Sequence, residues 1–281
     1  MKKILLLGST GFIGSHFKCA LEEAKYKLFS PRIEIRNHTE VEKAVYETKP
    51  NVIINATGIT GYPNVDWCED HPGETFSVNV AGSINIATIA SEFGIYMVQM
   101  GSGCVYDGNK KGGYTEEDEP NYFGSLYSRS RIYSEKILKE FPNVLQLRVR
   151  IPITGEPHAK NLIDKLIKYP KMINIKNSCT VIEDFVPAAI KLMEMKQTGI
   201  FNMTNIGAMD HKSIMTLYKE IVDPDFEIKL MPKKEQKELC KRRANCVMNT
   251  DKREKLGVHM PPLEESLERV LKNYKKVLIG E

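Results

Sequence analysis

Tyr127 and Arg131 stand four positions apart in Gly124-Ser125-Leu126-Tyr127-Ser128-Arg129-Ser130-Arg131. On a helix that spacing puts both on one face, a turn apart. A free phenol has a pKa near ~10, and a neighbouring cation favours its ionised form. A tyrosine tuned in this way supplies the proton that a ketone oxygen needs as a hydride reaches the carbon. Read alone, the two residues are better taken as decoration of an amphipathic helix. Ser102, at the end of the preceding apolar run, is placed to hydrogen-bond the same oxygen. Cys104 follows two residues later. A thiol with a free pKa of ~8.5 becomes a usable base beside positive charge, and a cysteine is as readily a small core residue.

A second chemistry belongs to Gly8-x-x-Gly11-x-x-Gly14, which follows the apolar run Ile4-Leu5-Leu6-Leu7 and opens a helical pattern. In that context Gly8 permits a tight turn, Gly11 lets backbone approach a pyrophosphate and Gly14 permits close helix–strand contact. The helix start then offers N–H groups and a positive dipole end to phosphate. The second apolar run, Lys27-Leu28-Phe29, passes into Ser30-Pro31-Arg32 with no carboxylate, so Ser30 and Arg32 suit a 2′-phosphate and favour NADP. Glu34 lies close enough to keep NAD open.

Positioning these groups takes alternating strands and helices. Strands are expected at 4–7, 27–29, 52–55, 96–100 and 144–149. Helices are expected at 12–25, 40–48, 74–93 and 125–140. Continuous apolar strands between amphipathic helices predict an α/β fold with a doubly wound, Rossmann-like parallel sheet. Beyond Arg150 the rhythm shortens, with prolines at 152, 157, 170 and 187. Helices are expected at 161–168, 187–195, 212–222 and 262–274, and a strand at 200–203. Residues 1–150 are therefore expected to form the nucleotide-binding domain, and 151–281 mainly a smaller C-terminal substrate lobe with segments returning to the sheet.

Composition narrows the partners. At 281 residues, 42% hydrophobic and 27% charged, the chain is an ordinary globular protein, with a net charge of +4 spread along it. The basic stretches Lys233-Lys234 and Lys241-Arg242-Arg243 are short, which argues against nucleic acid. The six cysteines form no CxxC pair and read as reduced thiols of a cytoplasmic protein. The short apolar run at 4–7 ends in a glycine turn and reads as a buried strand rather than a signal peptide. No apolar run reaches the ~18–20 residues of a membrane span. The six histidines show no metal-ligand spacing, so no metal site is expected.

Asn55-Ala56-Thr57-Gly58, Asn79-Val80-Ala81-Gly82, Gly101-Ser102-Gly103-Cys104-Val105-Tyr106 and Tyr127 fall in the order and spacing of extended short-chain dehydrogenase/reductases, which the chain resembles. More narrowly it resembles the plant nucleotide-rhamnose synthase/epimerase-reductases. That resemblance rests on Asn55 to Glu69 (including Pro63-Asn64-Val65-Asp66-Trp67-Cys68-Glu69), Gly103-Cys104, Glu116-Glu117-Asp118-Glu119-Pro120-Asn121 and Leu147-Arg148-Val149-Arg150-Ile151-Pro152-Ile153. Weaker echoes at 161–165, 202–207 and 243–245 extend it over nearly the whole chain. Such enzymes epimerise C3 and C5 of UDP-4-keto-6-deoxyglucose, then reduce C4 with NADPH to UDP-L-rhamnose. The resemblance implies Tyr127, Arg131 and Ser102 as the reducing group, and Cys104 with Lys165 as the epimerising acid–base pair, His158 being the rival acid. It implies cofactor contacts at Gly8, Thr10, Gly11, Phe12, Ile13, Gly14, Ser30, Arg32, Asn55, Ala56, Thr57, Asn79, Tyr127, Arg131 and Ile151. It implies substrate contacts at Ser102, Gly103, Cys104, Tyr127, Asp66, Trp67 and Asn161; Asp66, Trp67 and Glu69 are expected to line the sugar or uracil side, with Trp67 equally suited to be a core aromatic. By analogy a homodimer is expected through the helices at 74–93 and 125–140.

The family's cation at position 131 is lysine. Arginine keeps the charge but is larger, planar and unable to relay a proton, so reduction is expected to suffer more than epimerisation. Two other functions stay open at this stage. One is a non-catalytic nucleotide-binding subunit, resembling the regulatory subunit of methionine adenosyltransferase. The other is a 4-reductase alone, resembling dTDP-4-dehydrorhamnose reductase.

Overall fold

The computed structural model describes residues 2–280. Eight strands follow in chain order: β1 (Lys3–Leu7), β2 (Lys27–Phe29), β3 (Val52–Asn55), β4 (Tyr96–Ser102), β5 (Val144–Val149), β6 (Pro152–Ile153), β7 (Thr180–Val181) and β8 (Gly199–Asn202). Six of them form one sheet in the order β2-β1-β3-β4-β5-β8, and β6 pairs with β7. The β1–β2, β1–β3 and β3–β4 pairs are parallel. With helices between successive strands, this is a Rossmann-like α/β sheet. Leu7 is in register with Asn55, and Asn55 with Gln99. The carboxyl ends of β1, β3 and β4 therefore lie side by side, which is where open α/β sheets bind ligands.

The chain divides into two compact units. The first comprises the residues up to Val105, Pro120–Arg148 and Ala189–Phe201. The second comprises Tyr106–Glu119, Val149–Ala188 and the residues from Asn202 onward. In the first, Leu5, Leu7, Ile53, Ile86, Met97 and Leu138 share a core without solvent exposure beyond 1%. Each such side chain stabilises the fold by about 1.5–3 kcal/mol. In the second, Ile163, Leu166, Val181, Ile214, Leu267 and Leu271 do the same.

Two helices differ from the expected pattern. Residues 74–93 were expected as one helix, and the chain instead runs as Pro72–Phe76, a wide π turn at Ser77–Gly82, and Ser83–Glu92. Wide turns of this kind are inserted where a side chain must be re-aimed, and they cluster at functional sites. The helix expected from Pro187 starts earlier, spanning Ile182–Glu194 with the proline inside it. Pro187 is exposed and removes one backbone bond in the second turn. Ile182, Phe185, Val186 and Ala189 are buried on the other side and offset that loss. A short helix at Trp67–Asp70 and another at Lys233–Cys240 had no apolar periodicity to announce them.

Candidate active site

The glycine loop is shaped by close approaches. Gly8 has φ +81°, and a Cβ there would come within 2.8 Å of the Ala56 carbonyl carbon and the Thr57 nitrogen. A Cβ on Gly14 would overlap the Gly8 carbonyl oxygen. The Gly11 N–H closes the turn onto the Gly8 carbonyl at 3.0 Å. Gly11 then starts the helix Phe12–Glu23 with no side-chain cap, so the helix start is open to a phosphate. Thr10 and Gly11 are exposed at the loop tip, whereas Phe12 and Gly14 are buried behind it. The loop fits a dinucleotide: two glycines are fixed by packing, and the third lies at an uncapped helix start.

Past β2, Arg32 is exposed and Ser30 half-buried. Glu34, the residue that kept NAD open, is gripped by Arg36, with Nε to Oε1 at 2.8 Å and Nη2 to Oε2 at 2.6 Å. Those hydrogen bonds hold the Glu34 carboxyl down at about 2. This carboxylate already has its partner.

The end of β3 is held by Asn55. Its amide donates to Gln99 at 2.8 Å, and its oxygen accepts from the Thr57 N–H at 3.1 Å and the Thr57 hydroxyl at 2.5 Å. Fully buried, Asn55 shapes the loop through Ala56 and Thr57, and its side chain is committed there. Asn79 projects from the π turn. Its oxygen accepts from the Ile59 N–H at 2.8 Å, and its amide donates to the Ile59 carbonyl at 2.9 Å and to Ser130 Oγ at 3.2 Å. Asn79 therefore ties the loop after β3 to the helix that carries Tyr127.

That helix spans Leu126–Leu138, with Ser125 as N-cap accepting from the Ser128 N–H at 3.2 Å. The structure brings Tyr127, Arg131, Ser102 and Cys104 together. Burial is the largest influence on the Tyr127 phenol and raises it. The Arg131 charge and a hydrogen bond from Ser102 pull it down, and the thiols of Cys104 and Cys68 push it up. The balance is upward, so Tyr127 holds its proton at neutral pH and is an acid. Ser102 Oγ also accepts from the Cys104 N–H at 3.1 Å, which places the half-buried Cys104 beside the buried Gly103. Arg131 donates from Nη2 to the Met100 carbonyl, and its Nη1 faces the loop at Gly58.

Residues 63–69 are arranged differently from a simple sugar-facing wall. Trp67 stacks on His71, centroids 3.7 Å apart. The Asp66 N–H donates to Asn64 Oδ1 at 2.8 Å, and Glu69 Oε1 accepts from the Leu126 N–H at 2.5 Å. Sequence spacing does not reveal that last contact. It also misses the buried ion pair of Glu135 and Arg148, one turn beyond Arg131, although an acid four residues after a base on one helix was its only trace.

Ile151, His158, Asn161 and Lys165 belong to the second unit. Asn161 caps the helix Leu162–Lys168, accepting from the Ile163 and Thr154 N–H groups at 3.3 Å. Its amide donates to the Thr154 and Glu156 carbonyls at 3.0 Å. Rather than an open substrate contact, this fully buried side chain builds the loop and helix that carry Lys165. Lys165 is half-buried on that helix. The His158 N–H donates to Asp164 Oδ2 at 3.1 Å, and its Nδ1 accepts from the Lys160 N–H at 3.0 Å. Ile151 has φ +41°, a strained value for a β-branched residue. Among the described residues no cluster of His, Cys, Asp or Glu suits a metal ion, and no helix is long and apolar enough to cross a membrane.

The chain resembles known proteins over almost its whole length. The bifunctional dTDP-4-dehydrorhamnose 3,5-epimerase/dTDP-4-dehydrorhamnose reductase of Arabidopsis thaliana is 35% identical, covering 94% of this chain and 90% of that protein. A trifunctional UDP-glucose 4,6-dehydratase/UDP-4-keto-6-deoxy-D-glucose 3,5-epimerase/UDP-4-keto-L-rhamnose-reductase of Arabidopsis thaliana is also 35% identical over 94% of this chain, which spans 41% of that protein. The crystal structure of a UDP-rhamnose synthase from Acanthamoeba polyphaga mimivirus superposes with a TM-score of 0.92 at 30% identity, covering 97% of this chain and 99% of that one. The model of the RmlD substrate binding domain matches residues 1–276, and the chain belongs to that family.

Proposed function

We propose that this chain is an NADP(H)-dependent nucleotide-sugar 3,5-epimerase/4-reductase that converts UDP-4-keto-6-deoxy-D-glucose to UDP-L-rhamnose. The observation that carries the reading is the group of Tyr127, Ser102, Cys104 and Arg131 at the carboxyl end of β4. It combines a proton-holding phenol, a hydroxyl, a thiol and a fixed positive charge. The Arabidopsis and mimivirus relatives, named for the same two steps or the same product, support it.

A ketone at C4 acidifies the C–H bonds at C3 and C5. Cys104 acts as the base that removes the proton from either carbon. The electron pair moves to the C4 oxygen, where the Tyr127 and Ser102 hydroxyls stabilise it as an oxyanion site does. Inversion of the centre then needs a proton returned to carbon, the role assigned to Lys165. In the second step Tyr127 gives its proton to the C4 oxygen. NADPH, when bound, supplies the hydride to C4. Gly8, Gly11 and Gly14 would hold its pyrophosphate, and Ser30 and Arg32 its 2′-phosphate. The tied carboxylate of Glu34 supports NADP over NAD.

The protein works in the cytoplasm as a homodimer. No disulfide joins any of the six cysteines, which supports a reducing compartment. On the dimer face Phe76 stacks on Tyr133 at 6.1 Å, with Tyr133 44% and Ile137 40% exposed. Sedimentation at twice the chain's 32.0 kDa supports this assembly, and a monomer refutes it.

The activity is tested by incubation with UDP-4-keto-6-deoxyglucose in deuterated water, with and without NADPH. Deuterium at C3 and C5 without NADPH, and rhamnose formation with it, are expected. Cys104→Ser is expected to abolish the exchange. Absence of both signals overturns the enzyme reading, rhamnose formation without exchange overturns the epimerase half, and normal exchange in Cys104→Ser overturns the thiol's role.

A further inference from the structure

The chemistry above gives no task to Glu69, although it closes the run of residues 63–69 by which the chain resembles its relatives. Its carboxylate is directed at the start of the helix that carries Tyr127. Oε1 accepts from the Leu126 N–H at 2.5 Å, and Oε2 lies 3.4 Å from Arg129 Nη2. Leu126 is the first residue of that helix and the immediate neighbour of Tyr127. An anionic acceptor on a first-turn N–H gains from the charge-assisted bond and from the positive end of the helix dipole.

Two further contacts fix this turn. Ser125 Oγ holds the Ser128 N–H at 3.2 Å, and Arg129 Nη1 donates to the Phe123 carbonyl at 2.9 Å. Both are local to residues 123–129, whereas the Glu69 contact reaches in from a distant part of the sequence. Glu69 is itself well supported. Its neighbour Cys68 is wholly buried, and Trp67 stacks on His71. A Cβ on Gly61 would come within 2.8 Å of the Trp67 Cβ, so the preceding turn packs directly on this short helix.

We propose that Glu69 is a positioning residue, setting the Tyr127 hydroxyl against Ser102 and Cys104 through the Leu126 N–H. Its kinetic consequence rests on the epimerase/reductase reading, and the contact itself does not. Displacement of a reacting group by about 1 Å costs on the order of a hundredfold in rate. A tenfold to hundredfold fall in kcat is therefore expected for Glu69→Ala, with the KM values for sugar nucleotide and NADPH unchanged within about threefold. Glu69→Gln keeps an oxygen acceptor and should lose less than about threefold in kcat. Leu126→Pro removes the donor instead. Proline is tolerated at a helix's first position, and the extended Ser125 before it suits a following proline. This variant should reproduce the kcat loss of Glu69→Ala, and combining the two should add little.

Hydrogen exchange across residues 124–131 gives a readout independent of activity, expected to be at least about tenfold faster in Glu69→Ala. Unchanged exchange overturns the proposal. So does a raised sugar-nucleotide KM at constant kcat, which would make Glu69 a substrate contact. A folded Glu69→Gln as impaired as Glu69→Ala also overturns it. If the wild-type protein turns over no 4-keto sugar, the activity reading fails and the exchange measurement still decides the role of Glu69.

Discussion

The helix bearing Tyr127 is anchored at its far end by charge. Arg148, on β5, meets Glu135 through two parallel bonds, Nε to Oε2 and Nη2 to Oε1, each 2.7 Å. The side chains are 1% and 7% exposed. Replacing Glu135 with leucine strips a buried guanidinium of both bonds, and stranding one member of such a pair costs about 3–5 kcal/mol. Removing both charges in Glu135→Leu/Arg148→Met replaces the pair with apolar volume, which is commonly neutral or stabilising. The double variant is therefore expected within about 1 kcal/mol of wild type, with a coupling energy of several kcal/mol. In a chain of this size about 2–4 °C of Tm accompanies each kcal/mol, so the single variant should melt roughly 6–20 °C lower. Urea melts of the four proteins in the cycle, followed by circular dichroism, measure this directly. A Glu135→Leu loss below about 1 kcal/mol, or a double variant as unstable as the sum of the singles, would refute the claim that pairing is what makes these buried charges tolerable.

Three further predictions concern the site and its support. Arg131→Lys is expected to leave exchange at C3 and C5 intact and to preserve or raise the NADPH-dependent reduction. A loss of exchange would place the guanidinium in the epimerisation step. Gly14→Ala is expected to weaken NADPH binding at least about a hundredfold by calorimetry, because the added methyl drives the helix start away from the Gly8 carbonyl; unaltered binding would show that the loop does not grip the pyrophosphate. Buried His211 is pushed down to about 4, mainly by burial. It stays neutral when folded and gains its proton at the ordinary ~6.5 when unfolded, so stability is full above pH 6.5 and falls as pH drops toward 4. The loss should reach about 2 kcal/mol at pH 5, and His211→Gln should flatten this part of the stability–pH curve.

Part of this architecture is legible in the chain because the physics acting there is local. The glycine spacing at 8, 11 and 14 reports steric limits that any strand–turn–helix of this kind imposes, and a Cβ on Gly8 meets Ala56 at 2.8 Å. The four-residue step from Tyr127 to Arg131 follows from the helical period alone. Other features depend on partners far along the chain. Glu69 meets Leu126 across 57 positions, and no periodicity encodes such a contact. The π turn at Ser77–Gly82 uses residues that suit an α-helix equally well. It is set by tertiary demands: a Cβ on Gly82 would meet Ile35 at 2.6 Å, and Asn79 reaches the Ile59 backbone. Asn55 and Asn161 look like ligand contacts in sequence because asparagine is both a ligand donor and a loop builder. Their own backbone neighbours take their hydrogen bonds first.

In the proposed epimerase/reductase chemistry, arginine at position 131 divides the site's two steps on physical grounds. A guanidinium has donors in a fixed fork, so Nη2 can bond the Met100 carbonyl while Nη1 faces Gly58. Its charge still lowers the Tyr127 phenol, which is the electrostatic part of the lysine's work, but burial outweighs it and the phenol remains an acid. What arginine cannot supply is a proton passed onward to recharge Tyr127 after C4 has been reduced. In epimerisation the proton leaves and returns at carbon, and Tyr127 only donates a hydrogen bond, so its proton is never consumed. Reduction consumes it once per turnover. The substitution therefore acts on the step that empties Tyr127, and solvent exchange at C3 and C5 should proceed at a rate insensitive to the residue at position 131.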